Sequence, residues 1–347
     1  MRIQAAILEE TGKPLRVREI NSNQLAEGQV LVKVLFSGVC RSQLMEVRGL
    51  RGEDRWLPHL LGHEGSGVVV EVGPGVTKVK PGDAVILTWI KGDGLDAPGA
   101  VYRDGNRVIN SGAVTTFSNY TVVAENRVVR KPAGLAFDTA VLFGCALPTG
   151  AGMVLNELDI PPTASVVILG LGGVGLAALL AVLALGVRNL IAVDVAAEKL
   201  RTVADWGVRH CLSAADGDVV AKVRDLTHGG ADFCIESAGR VETIEQGFAM
   251  VRKGGGQLLF ASHPPEGQTI RLAPHDLISG KRICGSWGGG AHADRDVPRL
   301  FDLFSKGAAP LDALLTRRYR LEEINAALAD LEAGRVFRPL IVMEHEE

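Results

Sequence analysis

Residues 165–185 read SVVILGLGGVGLAALLAVLAL. The apolar run SVVIL leads directly into Gly170, Gly172 and Gly175, spaced as G-x-G-x-x-G, and the apolar stretch LAALLAVLAL follows before stopping at Gly186. A strand, a glycine turn and a helix in that order predict a dinucleotide-binding βαβ unit. The glycines, Gly173 among them, let the backbone approach a pyrophosphate, and the helix N-terminus turns aligned N–H groups towards it. Alone, the glycine spacing is a weak signal. Here the next strand-like run, NLIAVD, closes on Asp194, about 20 residues further on, where the fingerprint needs an acid. That carboxylate would accept hydrogen bonds from the adenosine-ribose hydroxyls and repel a 2′-phosphate, so NAD is expected rather than NADP.

Strand-like runs continue after Asp194 as RHCLSA, ADFCIES and GQLLFAS, separated by periodic segments such as VETIEQGFAMVRK. This alternation predicts a parallel sheet with crossover helices. Before residue 145 the texture differs: QVLVKVLFSGV, GSGVVVEVG, DAVILTWI and FSNYTVVAENRVVRKP are short β-like runs among Gly and Pro turns. After about Gly290 come two helix-like segments, DRDVPRLFDLFSKG and LEEINAALADLEAG, and a last strand, FRPLIVM. There is no repeat and no low-complexity tract.

With 347 residues, two domains are expected, since one compact core rarely grows that large. Hydrophobic residues make up 47% and charged residues 22%, with a net charge of -3. Lys and Arg are dispersed, which gives no footprint for nucleic acid. The longest apolar run is too short to cross a bilayer. The start, MRIQAAILEETGKP, lacks a secretory signature, so a cytoplasmic location is the expectation. The five cysteines are an odd number spread along the chain, which argues against a disulfide framework.

Three residues of zinc-binding type stand at turn edges: Cys40 in SGVCRSQ, His63 in GHEG and Cys145 in LFGCALPTGAG. Two thiolates and an imidazole suit a zinc that keeps a fourth position open. Spacing alone does not show that they converge, because buried cysteines are common and a lone His is often only hydrogen-bonded.

The ordered set GVCRS, GHEGSGVV, VKPGD, FSNYTVV, GCALPTGAG, GLGGVG and VD resembles the zinc-dependent alcohol dehydrogenases of the medium-chain dehydrogenase/reductase superfamily, over nearly the whole chain. The resemblance implies an α/β protein in which a mostly β, GroES-like catalytic domain, residues 1–147 and 288–347, encloses a Rossmann domain, residues 148–287. It implies that Cys40, His63 and Cys145 bind the catalytic zinc, with Glu64 the carboxylate able to approach the metal during ligand exchange. Ser42 would take the alcohol proton and shuttle it towards the cofactor ribose. Arg41 and Arg338 would hold the pyrophosphate, Thr149 and Val174 would flank the nicotinamide, and Lys199 would join Asp194 at the ribose. Trp89 would line the alcohol pocket. The reaction implied is hydride transfer between an alcohol and NAD, in a homodimer or homotetramer built on the strand KRICGSWGG.

The chain departs from that family at several points. Many members carry four closely spaced cysteines for a structural zinc, yet no cysteine lies between Cys40 and Cys145. The corresponding stretch, TWIKGDGLDAPGAVYRDGNRVINSGAVTT, is expected to be ordered without metal, leaving one zinc per chain. Gln43 stands where an acid commonly steadies the zinc-bound histidine, and Met45 where some members have a relay histidine. Asn110 and Ser111 bring polarity to a region that is often apolar, either to bind a polyol, sugar or amino alcohol or as solvated loop residues. Trp287 is a weaker pocket candidate. Two rivals remain: a zinc-free enone or quinone reductase of the same superfamily, and a non-catalytic NAD-binding sensor.

Overall fold

A computed structural model of the chain describes residues 1–306 and 310–345. It divides into two compact units, Met1–Cys145 with His292–Glu347, and Ala146–Ala291. The sequence reading sets these junctions at 147/148 and 287/288. Among the described residues no single helix is long and apolar enough to cross a membrane.

The first unit is built on two antiparallel-dominated sheets. In the larger, seven-stranded one, the strand Gln29–Gly38 is the hub. It pairs on one side with Glu64–Val72 and on the other with Tyr120–Ala124 and then Pro339–Val342. The last pairing, Leu340 opposite Gly38, returns the end of the chain to the sequence around Cys40. Alternating Val30, Val32 and Val34 face a core that also receives Leu44 and Val47 from the helix Arg41–Val47.

The five-stranded sheet runs in the order His59–Leu60, Arg2–Leu8, Arg16–Ser22, Tyr102–Asp104, Arg107–Ile109. Its last two strands form a hairpin inside the Gly- and Asp-rich stretch. Gly105 and Asn106 make the two-residue loop, with Gly105 at positive φ (58°), a conformation glycine reaches without steric cost. Before the hairpin, the backbone is tied down by one buried side chain, that of Glu125. Leu95, Thr77 and Lys78 all donate their N–H groups to the Glu125 carboxylate at 2.7 Å.

The second unit holds a six-stranded parallel sheet in the order 210–213, 189–194, 165–169, 233–236, 257–260, 282–285. Strand order reverses beside Ser165–Leu169, which is the topological switch point where such sheets bind their ligands. The helix Gly173–Ala184 packs there, most of its residues buried, as its unbroken apolar sequence requires.

Candidate metal centre and cofactor site

Three separate elements of the first unit deliver the metal-ligand candidates. Cys40 is the N-cap of the helix Arg41–Val47, His63 immediately precedes the strand Glu64–Val72, and Cys145 follows the 3-10 turn Val141–Gly144. One ligand atom from each lies within 4.8 Å of the other two. His63 Nε2 is 3.2 Å from Cys145 Sγ.

The glycines of these motifs make that convergence possible. A Cβ on Gly38 would sit 2.1 Å from Glu64 Oε1, and one on Gly144 would sit 2.4 Å from the Leu87 carbonyl and 2.9 Å from Glu64 Cβ. Only hydrogen fits at either place, so the backbones carrying Cys40 and Cys145 close directly onto Glu64.

Proton affinities at the two sulfurs are pulled apart. Cys40 is held well below the usual thiol range, chiefly by a hydrogen bond from Cys145, against the opposing cost of burial and helped by the positive Arg338. Cys145 is pushed well above that range by the same hydrogen bond and by burial. The two sulfurs therefore do not readily ionise together without a cation, and a divalent cation resolves this by binding both as thiolates. Two thiolates with one imidazole nitrogen is the donor chemistry of a catalytic zinc.

The groups behind the ligands are also in position. Gln43 accepts the Cys40 N–H on Oε1 at 3.0 Å while its amide nitrogen meets His63 Nδ1. The chain therefore keeps a contact to the histidine but makes it with a neutral side chain. Ser42 Oγ lies 3.5 Å from the same Nδ1, and the Trp89 ring stands edge-on to His63 with centroids 6.3 Å apart. Glu64 is fully buried, its pKa raised by desolvation and partly restored by Arg338, which donates to Oε2 at 2.5 Å. Its other oxygen, Oε1, has no hydrogen-bond partner among the described residues.

Arg338 itself is 3% exposed and turned onto Glu64, a partner that the sequence reading did not foresee. Arg41 stands exposed on the first turn of its helix. Asn110 donates its side-chain amide to the Trp56 carbonyl at 2.8 Å, and Ser111 donates to the Ala100 carbonyl at 2.7 Å. Both hold loop backbone. A second grouping, Asp93, His292 and Asp294, is more exposed, and Lys78 already pairs with Asp294 at 2.7 Å.

In the second unit the three fingerprint glycines have three different physical reasons. Gly170 turns at positive φ (93°). A Cβ on Gly172 would meet nothing within 4 Å, which leaves open space at the helix N-cap for a ligand. A Cβ on Gly175 would collide with the Gly170 carbonyl at 1.9 Å and with Ser237 Oγ at 2.4 Å, so this glycine lets helix and strand pack. Asp194 accepts the N–H of Leu171 on one oxygen (2.6 Å) and of Ala196 on the other (2.9 Å), which fixes the carboxylate beside the turn. Val174 and Lys199 are half-buried. Thr149 is buried, and its hydroxyl has no hydrogen-bond partner among the described residues.

A metal-binding trio in a β unit and a fingerprint glycine turn in a parallel-sheet unit define a metal-dependent dinucleotide dehydrogenase. The chain belongs to the zinc-dependent alcohol dehydrogenases of the medium-chain dehydrogenase/reductase superfamily. Residues 26–133 match the alcohol dehydrogenase GroES-like domain, and residues 173–306 match the zinc-binding dehydrogenase domain. It is similar to the alcohol dehydrogenase class-3 of Cereibacter sphaeroides, 34% identical over 99% of this chain and 100% of the relative. It is also similar to the S-(hydroxymethyl)glutathione dehydrogenase of Paracoccus denitrificans, 32% identical with the same coverage. Among solved structures, the benzyl alcohol dehydrogenase of Acinetobacter calcoaceticus superposes with a TM-score of 0.89 at 29% identity, over 99% of this chain and 100% of that one. The protein is accordingly an oxidoreductase of the alcohol dehydrogenase type.

Proposed function

We propose that the protein oxidises primary or secondary alcohols to aldehydes or ketones with NAD, using one zinc ion per chain. The observation that carries this reading is the approach of Cys40 Sγ, a ring nitrogen of His63 and Cys145 Sγ to within 4.8 Å of one another. The same ligand set argues against a zinc-free reductase, which has no need of two converging thiols beside an imidazole.

When bound, the zinc supplies Lewis-acid polarisation of the substrate oxygen. The residues do the rest. Gln43 orients His63 and the Cys40 backbone together, and the buried Arg338 favours negative charge on the sulfurs and on Glu64. Ser42 accepts the alcohol proton. Glu64, with one unpartnered oxygen, is the carboxylate available for ligand exchange. Arg41 and Arg338 remain the proposed pyrophosphate partners. Gly170, Gly172, Gly173, Val174 and Gly175 cradle the dinucleotide, with Asp194 and Lys199 at the ribose and Thr149 near the nicotinamide.

For the substrate, Trp89 beside His63 offers an aromatic wall, while Asn110 spends its donor on the Trp56 carbonyl. This balance favours an apolar or aromatic alcohol over a polyol, sugar or amino alcohol, and the likeness to a benzyl alcohol dehydrogenase supports it. The strand Arg282–Gly285 ends the parallel sheet and carries the exposed Cys284, which suits pairing with its copy in a homodimer or homotetramer. A cytoplasmic location fits five unpaired cysteines.

The test is a panel of aromatic, aliphatic and polyol alcohols followed by NADH absorbance. Turnover greatest on benzylic or aliphatic alcohols is expected. Turnover confined to polyols would overturn the pocket assignment, and binding of NAD with no turnover on any alcohol would favour the sensor.

A further inference from the structure

A proton taken by Ser42 needs somewhere to go, and Met45, 4% exposed and apolar, cannot carry it. Glu46 can. On the helix Arg41–Val47, Ser42 and Glu46 are four residues apart, which puts them on one face about 5–6 Å apart at Cβ. Both side chains are half-buried. Two polar pairs act on the charge of Glu46: Arg51 Nη1 is 3.4 Å from Glu46 Oε1, and the largely buried His59 places Nε2 2.7 Å from Asp54 Oδ2. Arg51 is the exposed member of this group, and Asp54 is half-buried.

Electrostatics set the carboxyl for the task. Burial raises the Glu46 pKa, with Asp54 raising it further, while Arg51, His59 and His63 oppose the rise. A carboxyl whose pKa is raised holds a proton more readily than an ordinary glutamate, which suits a group that must accept one and pass it on.

We infer that Glu46 is the proton acceptor behind Ser42, taking the alcohol proton through one water and releasing it to bulk water. This rests on the proposed role of Ser42. In the oxidation direction the alcohol O–H bond breaks and its proton passes to Ser42 Oγ. The serine's own proton passes through the water to the Glu46 carboxylate, and from there to bulk water. The hydride goes separately to NAD, so the net release is one proton per alcohol oxidised. Glu46 must be ionised to accept, so alcohol oxidation falls as pH drops through its raised pKa.

The experiment compares the zinc-loaded wild type with Glu46→Ala, Glu46→Gln and Ser42→Ala, measuring the pH profile of kcat, zinc content and rescue by added formate or acetate. Glu46→Ala and Glu46→Gln should keep wild-type zinc content, lose kcat by about 10-fold or more and lose the acidic limb of the profile. Formate should restore turnover to Glu46→Ala. If Ser42→Ala is inactive while Glu46→Ala keeps both wild-type kcat and its acidic limb, the relay alone falls. A slow Glu46→Ala that retains zinc but is not rescued by small carboxylates also overturns it. If Ser42→Ala turns over at the wild-type rate, the Ser42 assignment falls and takes the relay with it.

Discussion

Arg338 and Glu64 lie 274 residues apart in sequence and form a fully buried ion pair at 2.5 Å behind the metal-ligand trio. The pair exists because the last strand, Pro339–Val342, docks against Gln29–Gly38 and carries the guanidinium back to a carboxylate that has no water to solvate it. A buried charge that loses its partner is costly, whereas removing both partners is much less so. Arg338→Met should therefore destabilise the protein by about 3–5 kcal/mol in denaturant unfolding. The double variant Glu64→Gln/Arg338→Met should be more stable than the sum of the single effects implies. Strict additivity would show that the pair is not coupled.

The fingerprint glycines separate folding from binding. Gly175→Ala forces a methyl against the Gly170 carbonyl, so it should lower stability by about 1–3 kcal/mol as well as weakening the cofactor. Gly172→Ala has empty space around it and an ordinary φ of -82°, so it should fold with wild-type stability while losing NAD affinity. Thermal unfolding and NAD titration on both variants check this. Equal stability losses would contradict the distinct roles.

Asp194→Gly should weaken NAD by about 10-fold or more, the scale of one lost charged hydrogen bond, and narrow the gap to NADP. Part of the loss will come from the turn, since both carboxylate oxygens hold backbone N–H groups. Unchanged relative affinity for the two cofactors, measured by titration, would remove Asp194 from the ribose site.

Glu125 gives a pH signature. Burial raises its pKa, but N–H groups of Leu95, Lys78 and Thr77 outweigh this and hold it below the ordinary glutamate value. A depressed folded-state pKa contributes stability that is present above the unfolded pKa, about 4.3, and is lost as pH falls through the folded value. Glu125→Gln should thus cost about 1.5–3 kcal/mol at pH 7, and the difference from wild type should shrink as both are acidified below pH 4. A difference that stays constant with pH would exclude this linkage.

The parts legible in the sequence were those whose physics is local. Gly170, Gly172 and Gly175 each answer a steric demand of one strand–turn–helix unit, so their spacing alone carries the cofactor fold. The Gly/Cys and Gly/His motifs likewise mark close backbone approaches, although only the fold shows what is approached. Contacts closed by distant chain segments were not legible. Nothing near Arg338 in sequence points to Glu64, and nothing near Asn110 points to the Trp56 carbonyl that absorbs its amide. The hairpin Tyr102–Ile109 did have a signal, the short Gly-Asn turn between Asp104 and Arg107, hidden by the polar composition around it. Glu46 sat one helical turn beyond Ser42 without standing out, because its significance comes from burial and from the later residues Arg51, Asp54 and His59.

Zinc content of the purified protein, compared with that of Cys40→Ala, His63→Ala and Cys145→Ala, decides whether these three residues hold the metal. One zinc per wild-type chain is expected, with its loss from each variant and a parallel loss of alcohol-dependent NADH formation. Wild-type protein prepared under metal-sparing conditions that contains no zinc yet turns over, or variants that keep full zinc content, would contradict the assignment of Cys40, His63 and Cys145 as the metal centre.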